Sequence, residues 1–377
     1  MRPHWNNCVT HFDDQVDWFV DTYFGEMARK CLLVAAAGFD PRSLTVATKL
    51  AGVLGNRLEA LFIREERPQP NGTLLNQATT NEVQLRALIP NSRVEQIEIF
   101  AQDSAAVGGQ RIAELLRTLP VADDITDVVL DMSALSIGIG FPAAKLLLDV
   151  CERAPDRAFH LMIVSNPELD ERISSEPADR SLVVRGFAGN VEESELPKAR
   201  IWLPQLTKGR SAALERIGGQ IDDQYKCCPI LPFPSRNPRR SDDLVSEYQL
   251  QLAQWNVDPR DLIYVSEHNP LDCYRTLSTL KLRYDATVAE VFDPHIILSP
   301  VGSKVLAAGA MMAAIEHNLG IHYLETIRYE IDDDGTTPLP PDLVTHILLS
   351  GPCYADYATL PQPAGNAVAE AVDQSNG

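Results

Sequence analysis

The sequence lacks the short motifs that mark many catalytic and metal sites. It contains no H-E-x-x-H zinc motif, no C-x-x-C pair, no G-x-S-x-G nucleophile elbow and no Walker A loop. A G-x-G-x-x-G fingerprint is also missing after the first apolar run, which disfavours an ordinary NAD dehydrogenase. The eight histidines are dispersed along the chain, so neither a metal site nor a cofactor is expected.

Positive charge is scarce. The chain has 33 lysines and arginines against 52 aspartates and glutamates, which gives a formal net charge of −19. A field of this sign repels nucleic acid and anionic membrane surfaces at long range, so DNA or RNA is disfavoured as the main partner. A small anion can still be held locally by backbone N–H groups and one or two basic side chains.

Long hydrophobic runs are missing as well. No apolar stretch approaches the roughly 20 residues that a membrane-spanning helix needs, and the longest candidate, 305–315, predicts a buried helix. The first residues show no apolar signal-peptide core. The seven cysteines are odd in number and several lie in apolar runs, which indicates reduced, buried thiols. These features predict a cytoplasmic protein without a membrane segment.

The length and the apolar pattern indicate two folded domains. The 377 residues are enough for about two domains of roughly 100–200 residues each, and 45% of them are hydrophobic. In the first half, near-continuous apolar runs typical of central parallel strands alternate with segments of helical periodicity. Strands are predicted at 30–37, 57–63, 94–100, 127–130 and 158–164, and helices at 44–54, 76–88, 106–119 and 140–153.

The same alternation restarts after a polar, acidic linker at 166–197. Strands are predicted at 199–203, 227–233, 261–265, 295–298, 321–331 and 344–349, and helices at 211–217, 242–255, 271–284 and 304–317. Alternation with short connections predicts parallel sheets, so the fold class is predicted as α/β, with two tandem Rossmann-like units and mainly parallel sheets. The first unit is placed at 1–175, the second at 195–355, and a flexible tail at 356–377. The shared pattern makes internal duplication a hypothesis.

Ligands of open α/β sheets bind beyond the carboxyl ends of the strands, so the candidate residues lie in the strand-to-helix turns. The sharpest signal is the turn Ser299-Pro-Val-Gly302-Ser303-Lys304, between a buried strand and a helix rich in small residues. Gly302 permits close backbone approach, the helix start favours an anion, and Ser303 and Lys304 add a hydroxyl and a positive charge. The plain alternative is a helix cap with a solvated Lys304.

Two turns of the first half are further candidates. Asp40 and Arg42 follow the first strand, and Asp131 and Ser133 follow the strand at 127–130. An aspartate at a strand end can hold a ribose hydroxyl, a metal or a partner domain. Alternatively, Asp40 and Asp131 only cap the helices that follow, with Arg42 facing solvent.

The second half offers two more positions. Asn269 follows the strand at 261–265, where an Asn-Pro pair alone explains a turn. Arg236 belongs to a Pro-rich loop that carries three arginines in an otherwise acidic protein. Clustered guanidinium groups suit phosphate or carboxylate ligands, and they pair equally well with an acidic protein surface.

The second half resembles one known family. A Rossmann-like sheet with a Gly-Ser-Lys turn after a buried strand is similar to the CARF and SAVED ligand-sensor domains of prokaryotic antiviral defence systems, over about 199–331. The matching residues are Ser299, Gly302, Ser303 and Lys304, with Asn269 as a second contact. The resemblance implies a regulatory subunit that binds a cyclic oligonucleotide or related nucleotide messenger and acts through a protein partner or an oligomer. No effector nuclease motif is recognisable, and the first half lacks the Gly-Ser-Lys turn.

The leading hypothesis is non-catalytic recognition of a phosphorylated, nucleotide-like ligand. Its cleft would lie between the two units and be lined by Asp40, Arg42, Asp131, Lys304 and Arg236. Two rivals stay open. An enzyme of nucleotide or sugar-phosphate metabolism would use the same cleft, with Asp40 and Asp131 as acid/base or metal-binding groups. A structural subunit of a larger assembly would instead present a contiguous apolar patch and no cleft.

Overall fold

The structure is a computed structural model, and it describes residues 5–190, 195–331 and 339–354. The strands are β1 (Thr10–Phe12), β2 (Cys31–Ala36), β3 (Leu58–Glu66), β4 (Ser92–Glu98), β5 (Asp127–Asp131), β6 (Ala158–Ser165), β7 (Ile173–Ala188), β8 (Lys198–Pro204), β9 (Gln224–Cys227), β10 (Ile230–Pro232), β11 (Ile263–Val265), β12 (Asp293–Ser299), β13 (Gly320–Ile331) and β14 (Leu343–Ser350). The helices are α1 (Asp14–Phe19), α2 (Thr45–Leu54), α3 (Gly72–Leu88), α4 (Gly108–Arg117), α5 (Ile137–Glu152), α6 (Pro167–Arg172), α7 (Ser211–Gly218), α8 (Arg240–Glu247), α9 (Gln249–Gln254), α10 (Pro270–Val288) and α11 (Lys304–His317). The tail predicted at 356–377 lies outside the described residues.

The first sheet has seven strands in the order β1-β14-β6-β5-β2-β3-β4. The five strands from β6 to β4 are parallel, and β14 and β1 continue the sheet in antiparallel pairing. Numbered along the chain, the parallel strands run 3-2-1-4-5 across the sheet, which is the Rossmann order. The α/β, Rossmann-like prediction is therefore confirmed for this unit.

The second sheet repeats this order. Five strands lie in the order β7-β13-β12-β8-β9, and β10 pairs with β11 in a two-stranded parallel sheet. A parallel bridge between Gln205 and Ile230 joins the two sheets directly beyond β8. If β9 and β10 are taken as one interrupted strand, the parallel strands again run 3-2-1-4-5, from β11 across to β13. The shared order supports the hypothesis of internal duplication.

Each unit donates one strand to the other. β7 follows β6 in the chain but pairs antiparallel with β13 in the second sheet, and β14 follows β13 but pairs antiparallel with β6 in the first. The segment 166–197, predicted as a linker, thus contains α6 and the whole of β7. β7 is an edge strand in which most residues are partly or fully exposed, so it carries the polar composition that resembles a linker.

Burial explains why the central elements form where they do. Every residue of β2, β5 and β6 is buried, as expected of strands covered on both faces. The helix predicted at 305–315 is confirmed: α11 buries each residue from Val305 to Ile315, because it packs between the units and has no solvent face. One apolar cluster contains side chains from both units, for example Leu130 and Phe141 from the first with Leu298 and Met311 from the second. None of the helices in the described ranges has the length and apolarity that crossing a membrane requires.

Candidate functional site

A cavity of about 290 Å³ lies where the carboxyl ends of the two parallel sheets meet. In a 3-2-1-4-5 sheet the strand order reverses between strands 1 and 4, and ligands bind in the crevice that opens there. The first unit's crevice lies after β2 and β5, and the turns 36–40 and 133–137 line the cavity. The second unit's crevice lies after β8 and β12, and the turns 206–208 and 301–304 line the same cavity. We call this shared cavity the cleft.

The cleft is more basic than the protein as a whole. Its lining includes eight basic side chains (Arg42, Arg64, Arg67, Lys208, Arg210, Arg240, Lys304 and Arg328) and seven acidic ones (Asp40, Glu65, Glu66, Asp170, Glu171, Glu267 and Glu325). The chain carries a net charge of −19, so a lining with a small positive excess is a local reversal of sign. Such a reversal within a low-dielectric crevice attracts an anionic ligand.

Arg42 lies in the wall of the cleft, bound by two carboxylates. Its Nε and Nη2 donate to Asp40, at 2.9 Å to Oδ1 and 2.6 Å to Oδ2, and Nη1 lies 2.8 Å from Asp170 Oδ1. Asp40 also caps the turn that follows β2, since its Oδ1 accepts from the Arg42 N–H at 3.0 Å. The side chain of Arg42 is only 3% exposed, so the alternative in which it faces solvent is wrong. Pairing with two carboxylates offsets its lost hydration.

Asp131 lies directly beneath the cleft and does not line it. Its Oδ1 accepts hydrogen bonds from the backbone N–H of Ser133, at 2.9 Å, and from the Ser133 hydroxyl. Its Oδ2 is buried and has no hydrogen-bond partner among the described residues. Burial raises the pKa of Asp131 to about 7, with a further contribution from the charge of Asp40. The cleft therefore has a carboxyl group below its floor that is partly protonated at neutral pH.

Lys304 connects the two units. It is the first residue of α11 in the second unit, and its ammonium group donates a hydrogen bond to the Leu135 carbonyl in the first unit. Burial lowers the pKa of Lys304, and the nearby Glu65 carboxylate opposes that shift. The ammonium group is thus not freely solvated, contrary to the plain alternative. Ser303 caps α11, since its Oγ accepts from Leu306 N–H at 3.3 Å.

The floor of the cleft is a buried network of two carboxylates around one guanidinium group. Arg67 Nη2 lies 3.0 Å from Glu65 Oε2 and 3.3 Å from Glu325 Oε1. Glu65 Oε1 accepts from the N–H of Ser136, at the start of α5, at 2.7 Å. Glu325 Oε2 accepts from the Tyr323 hydroxyl at 3.0 Å, and burial raises the pKa of Glu325. We call Glu65, Arg67 and Glu325 the floor network.

Gly138 makes the close packing of α5 on this floor possible. A Cβ atom at Gly138 would lie 2.5 Å from the Tyr323 hydroxyl and 2.6 Å from Glu325 Oε2, which is too close for any side chain. At Gly140, two residues further along the helix, the atom nearest to an added Cβ would lie at an ordinary 3.5 Å. The Gly-x-Gly pair at the start of α5 was therefore the sequence signal that could have pointed to this floor.

Two aromatic rings stand at one side of the cleft. Phe39 and Tyr329 both line it, with ring centroids 5.4 Å apart at 52°, and both are partly exposed. The guanidinium group of Arg67 lies over the Tyr329 ring, 5.0 Å from its centroid. Exposed aromatic faces next to a cation offer a stacking surface for a planar ligand.

The structure brings together most of the predicted site residues but not all. Asp40, Arg42, Ser133, Gly302, Ser303 and Lys304 line the cleft. The other four do not line it: Asp131 lies beneath Ser133 as described above, and Ser299, Asn269 and Arg236 have local roles elsewhere. Ser299 is fully buried, and its Oγ accepts a hydrogen bond from Trp202 Nε1 at 2.9 Å. Asn269 caps α10, because its side chain accepts from the Leu271 N–H at 3.0 Å. Arg236 lies near the rim, where its N–H donates to Glu267 Oε2 at 3.0 Å, and Arg240 lines the cleft in its place.

The described residues contain no group of three or more His, Cys, Asp and Glu side chains arranged to hold a metal ion. The acidic side chains of the cleft instead face basic partners, as Asp40 does with Arg42 and Glu65 with Arg67.

No family model matches this chain, and neither does any curated protein. Among solved structures, a protein from Pseudomonas aeruginosa UCBPP-PA14 named as a universal stress protein is 11% identical over 81% of this chain and 96% of that one, with a TM-score of 0.22. A protein from Burkholderia cenocepacia named as a dehydrogenase, with bound NADP, is 10% identical over 72% and 92%, with a TM-score of 0.21. The NH3-dependent NAD synthetase from Campylobacter jejuni subsp. jejuni NCTC 11168 is 12% identical over 81% and 92%, also with a TM-score of 0.21. The fold assignment rests on the strand order and not on these likenesses.

Proposed function

We propose that this protein is a sensor or regulatory protein that binds a phosphorylated, nucleotide-like ligand in the cleft. The observation that carries the proposal is the meeting of two Rossmann crevices, after β2 and β5 in one unit and after β8 and β12 in the other, in one cavity. Crevices of this kind place helix N-termini and turn N–H groups next to bound ligand. A ligand held there touches both units at once.

The charge of the lining favours a phosphorylated ligand. Eight basic side chains gather here in a protein of net charge −19, and most of them are paired with carboxylates. A phosphate group can replace a carboxylate partner while keeping the charge-assisted hydrogen bonds of an arginine or lysine. The ligand then gains contacts without leaving buried cations unpaired.

Lys304 is the residue we assign to the phosphate. Its ammonium group has three N–H donors, and the Leu135 carbonyl accepts one of them. Loss of water around the group lowers the pKa of Lys304, and an anion within hydrogen-bond distance would stabilise the charged form. Phosphate binding therefore recovers free energy that burial of the ammonium group costs.

The aromatic pair Phe39 and Tyr329 supports a planar base as the second part of the ligand. Base stacking on an aromatic ring contributes about 1–3 kcal/mol per base in nucleic-acid-binding proteins. The pair lines the same cavity as Lys304, so one ligand of nucleotide size is offered both an anion site and a stacking surface.

The exchanged strands supply a route from ligand binding to a partner. β13 contributes residues 323–329 to the cleft and pairs with β7, which comes from the first unit's half of the chain. A ligand that draws the units together shifts both exchanged strands with them. A role in antiviral defence follows from the resemblance to CARF and SAVED domains alone and stays a prediction, as does the protein partner or oligomer.

Binding is favoured over catalysis by the positions of the two aspartates that an enzyme would use. Asp40 is held by the guanidinium group of Arg42, and Asp131 lies under Ser133 without reaching the cavity. A general acid or base must come within hydrogen-bond reach of the group that it protonates or deprotonates. Asp131 does not meet that condition for a ligand in the cleft, and Asp40 lines the cleft but is held in an ion pair with Arg42.

Isothermal titration calorimetry tests the proposal. The purified protein is titrated with nucleoside mono-, di- and triphosphates and with cyclic di- and oligonucleotides. For a nucleotide that binds, Lys304→Met should weaken binding by about tenfold to a hundredfold, the value of a hydrogen bond to a charged group. The matched control is Lys49→Met on α2, a lysine that pairs with Asp17 outside the cleft and should bind as wild type. Equal affinity of Lys304→Met and wild type for every nucleotide that binds would refute the assignment.

A further inference from the structure

Three histidines and one aspartate form a continuous chain of hydrogen bonds across the first sheet, on strands β1, β14, β6 and β5. His11 Nδ1 lies 3.0 Å from His346 Nδ1, His346 Nε2 lies 2.9 Å from His160 Nδ1, and His160 Nε2 lies 3.0 Å from Asp127 Oδ1. His346, His160 and Asp127 are fully buried, while His11 is partly exposed. Asp127 begins β5, so the chain lies at the opposite end of the sheet from the cleft. We call these four residues the histidine chain.

The tautomers of the histidine chain follow from Asp127. Its carboxylate also accepts from the Tyr23 hydroxyl at 2.9 Å and from Thr126 Oγ1 at 2.6 Å. Burial is the largest influence and raises the pKa of Asp127, but the hydrogen bond and Coulombic interaction with His160, together with the hydrogen bonds from Thr126 and Tyr23, hold that pKa below its usual value. An ionised carboxylate only accepts, so His160 must donate from Nε2.

The remaining protons are then assigned one contact at a time. With Nε2–H directed to Asp127, a His160 ring that carries one proton accepts at Nδ1 from His346 Nε2–H. Neutral His346 in turn accepts at Nδ1 from His11 Nδ1–H. His11 Nε2 is left without a proton, at the partly exposed end of the chain. Each of the three contacts holds one proton, so the histidine chain can gain one further proton only at His11 Nε2. A second added proton would place two protons between the two facing atoms of one contact, which would break that hydrogen bond.

Among the residues that the structure describes, no carboxylate forms an ion pair with His11 or His346 that would balance a positive charge. Phe19 stacks on both rings, with centroids 4.5 Å from His11 and 4.2 Å from His346. Burial lowers the pKa of both histidines, and any positive charge on His160 would lower it further. At the far end Arg29, 3.8 Å from Asp127, and the thiols of Cys31 and Cys151 face the aspartate, and Tyr23 donates to it.

We propose that the histidine chain is an acid-sensitive latch that holds β1 and α1 onto β14. At neutral pH the hydrogen bonds between the three imidazoles join strand to strand and close the latch. Opening returns His11 and His346 to water, where each takes up a proton with the ordinary histidine pKa near 6.5. Because the open form binds more protons, opening is favoured as pH falls below that value. Protonation alone releases the segment, which then becomes exposed to solvent. No ligand of the cleft is required.

Hydrogen exchange measured peptide by peptide tests the latch. Between pH 7.5 and 5.0, after correction for intrinsic exchange, opening of residues 10–24 should rise at least about tenfold in the wild type, since one free histidine contributes up to about thirtyfold at pH 5. His11→Gln keeps a side-chain N–H for His346 but cannot be protonated, so its rise should be clearly smaller. His295→Gln, on β12 in the other unit, is the matched control and should behave as wild type.

Two results would overturn the proposal. One is opening of residues 10–24 that is independent of pH in the wild type, and the other is a full rise retained in His11→Gln. If residues 10–24 are open at every pH in His11→Gln, the wild type alone tests the latch. Its ¹⁵N chemical shifts at pH 7.5 should show Nε2–H tautomers for His160 and His346 and an Nδ1–H tautomer for His11. Any other set of tautomers, or a charged His346, refutes the latch.

Discussion

Replacing Asp131 by asparagine should stabilise the protein, and more so at high pH than at low pH. Asp131 is 1% exposed, and its Oδ2 has no hydrogen-bond partner among the described residues. Asparagine keeps an oxygen for the two hydrogen bonds from Ser133, and its neutral amide replaces a carboxylate that burial penalises. The substitution therefore removes a cost of folding while leaving the turn after β5 intact.

The pH dependence and the size of this stabilisation follow from the raised pKa of Asp131. The folded protein holds a proton on Asp131 up to a pKa of about 7, whereas the unfolded chain releases it near 3.8. The native state thus binds more protons between these values, and stability falls as pH rises through that window. At about 1.4 kcal/mol per pKa unit, the penalty in the wild type reaches about 2 kcal/mol at pH 5 and about 4 kcal/mol at pH 8, both as upper bounds.

Urea unfolding of wild type and Asp131→Asn at pH 5, 6, 7 and 8 measures this difference. The variant's gain should grow with pH and level off above pH 7. Asp156→Asn, on an exposed turn after α5, is the matched control and should change stability little at any pH. A gain that is independent of pH, or a destabilised variant, would refute the reasoning. The same variant tests the rival function, because loss of nucleotide turnover in Asp131→Asn would favour an enzyme over a sensor.

Four further substitutions, of which Gly140→Ala is a control, probe the packing in and near the cleft. Gly138→Ala should cost about 1–3 kcal/mol through overpacking against the floor network, whereas Gly140→Ala should be tolerated; thermal melts of the pair would contradict this if they matched. Arg67→Met should cost about 3–5 kcal/mol in urea, because it leaves two buried carboxylates without their cation, and a neutral result would show that the network is not coupled. Ser299→Ala should cost about 1–3 kcal/mol by leaving Trp202 Nε1 unpaired, with ligand affinity unchanged; a loss of affinity in titration would return Ser299 to the binding site.

The central strands could be predicted from the sequence because their burial leaves a local signature. β2, β5 and β6 are covered on both faces, so they appear as unbroken apolar runs, and α11 appears as an apolar helix for the same reason. The sheet to which a strand belongs has no such signature. β14 was predicted as a strand within the second unit, but its partner is β6, because an apolar run does not encode its neighbour.

The residues of the candidate site likewise include some that the sequence could reveal and some that it could not. Asp40, Arg42 and Lys304 were accessible to sequence reasoning because they directly follow strands, at the sheet edge where ligands bind. Glu65 is still part of β3, and Glu325 lies in the middle of β13, so neither belongs to a turn. They reach the cleft because the carboxyl ends of the two sheets meet there, and the strands exchanged between the sheets are far apart in the chain.

The most direct test of the central claim is mass spectrometry of the small molecules released when the purified protein is denatured, combined with thermal shift against a nucleotide panel. We expect a phosphorylated nucleotide that copurifies with the wild type or stabilises it, and that does so much less with Lys304→Met. No released nucleotide and no stabilisation by any member of the panel would contradict it, and would leave the cleft as a contact between two structural units.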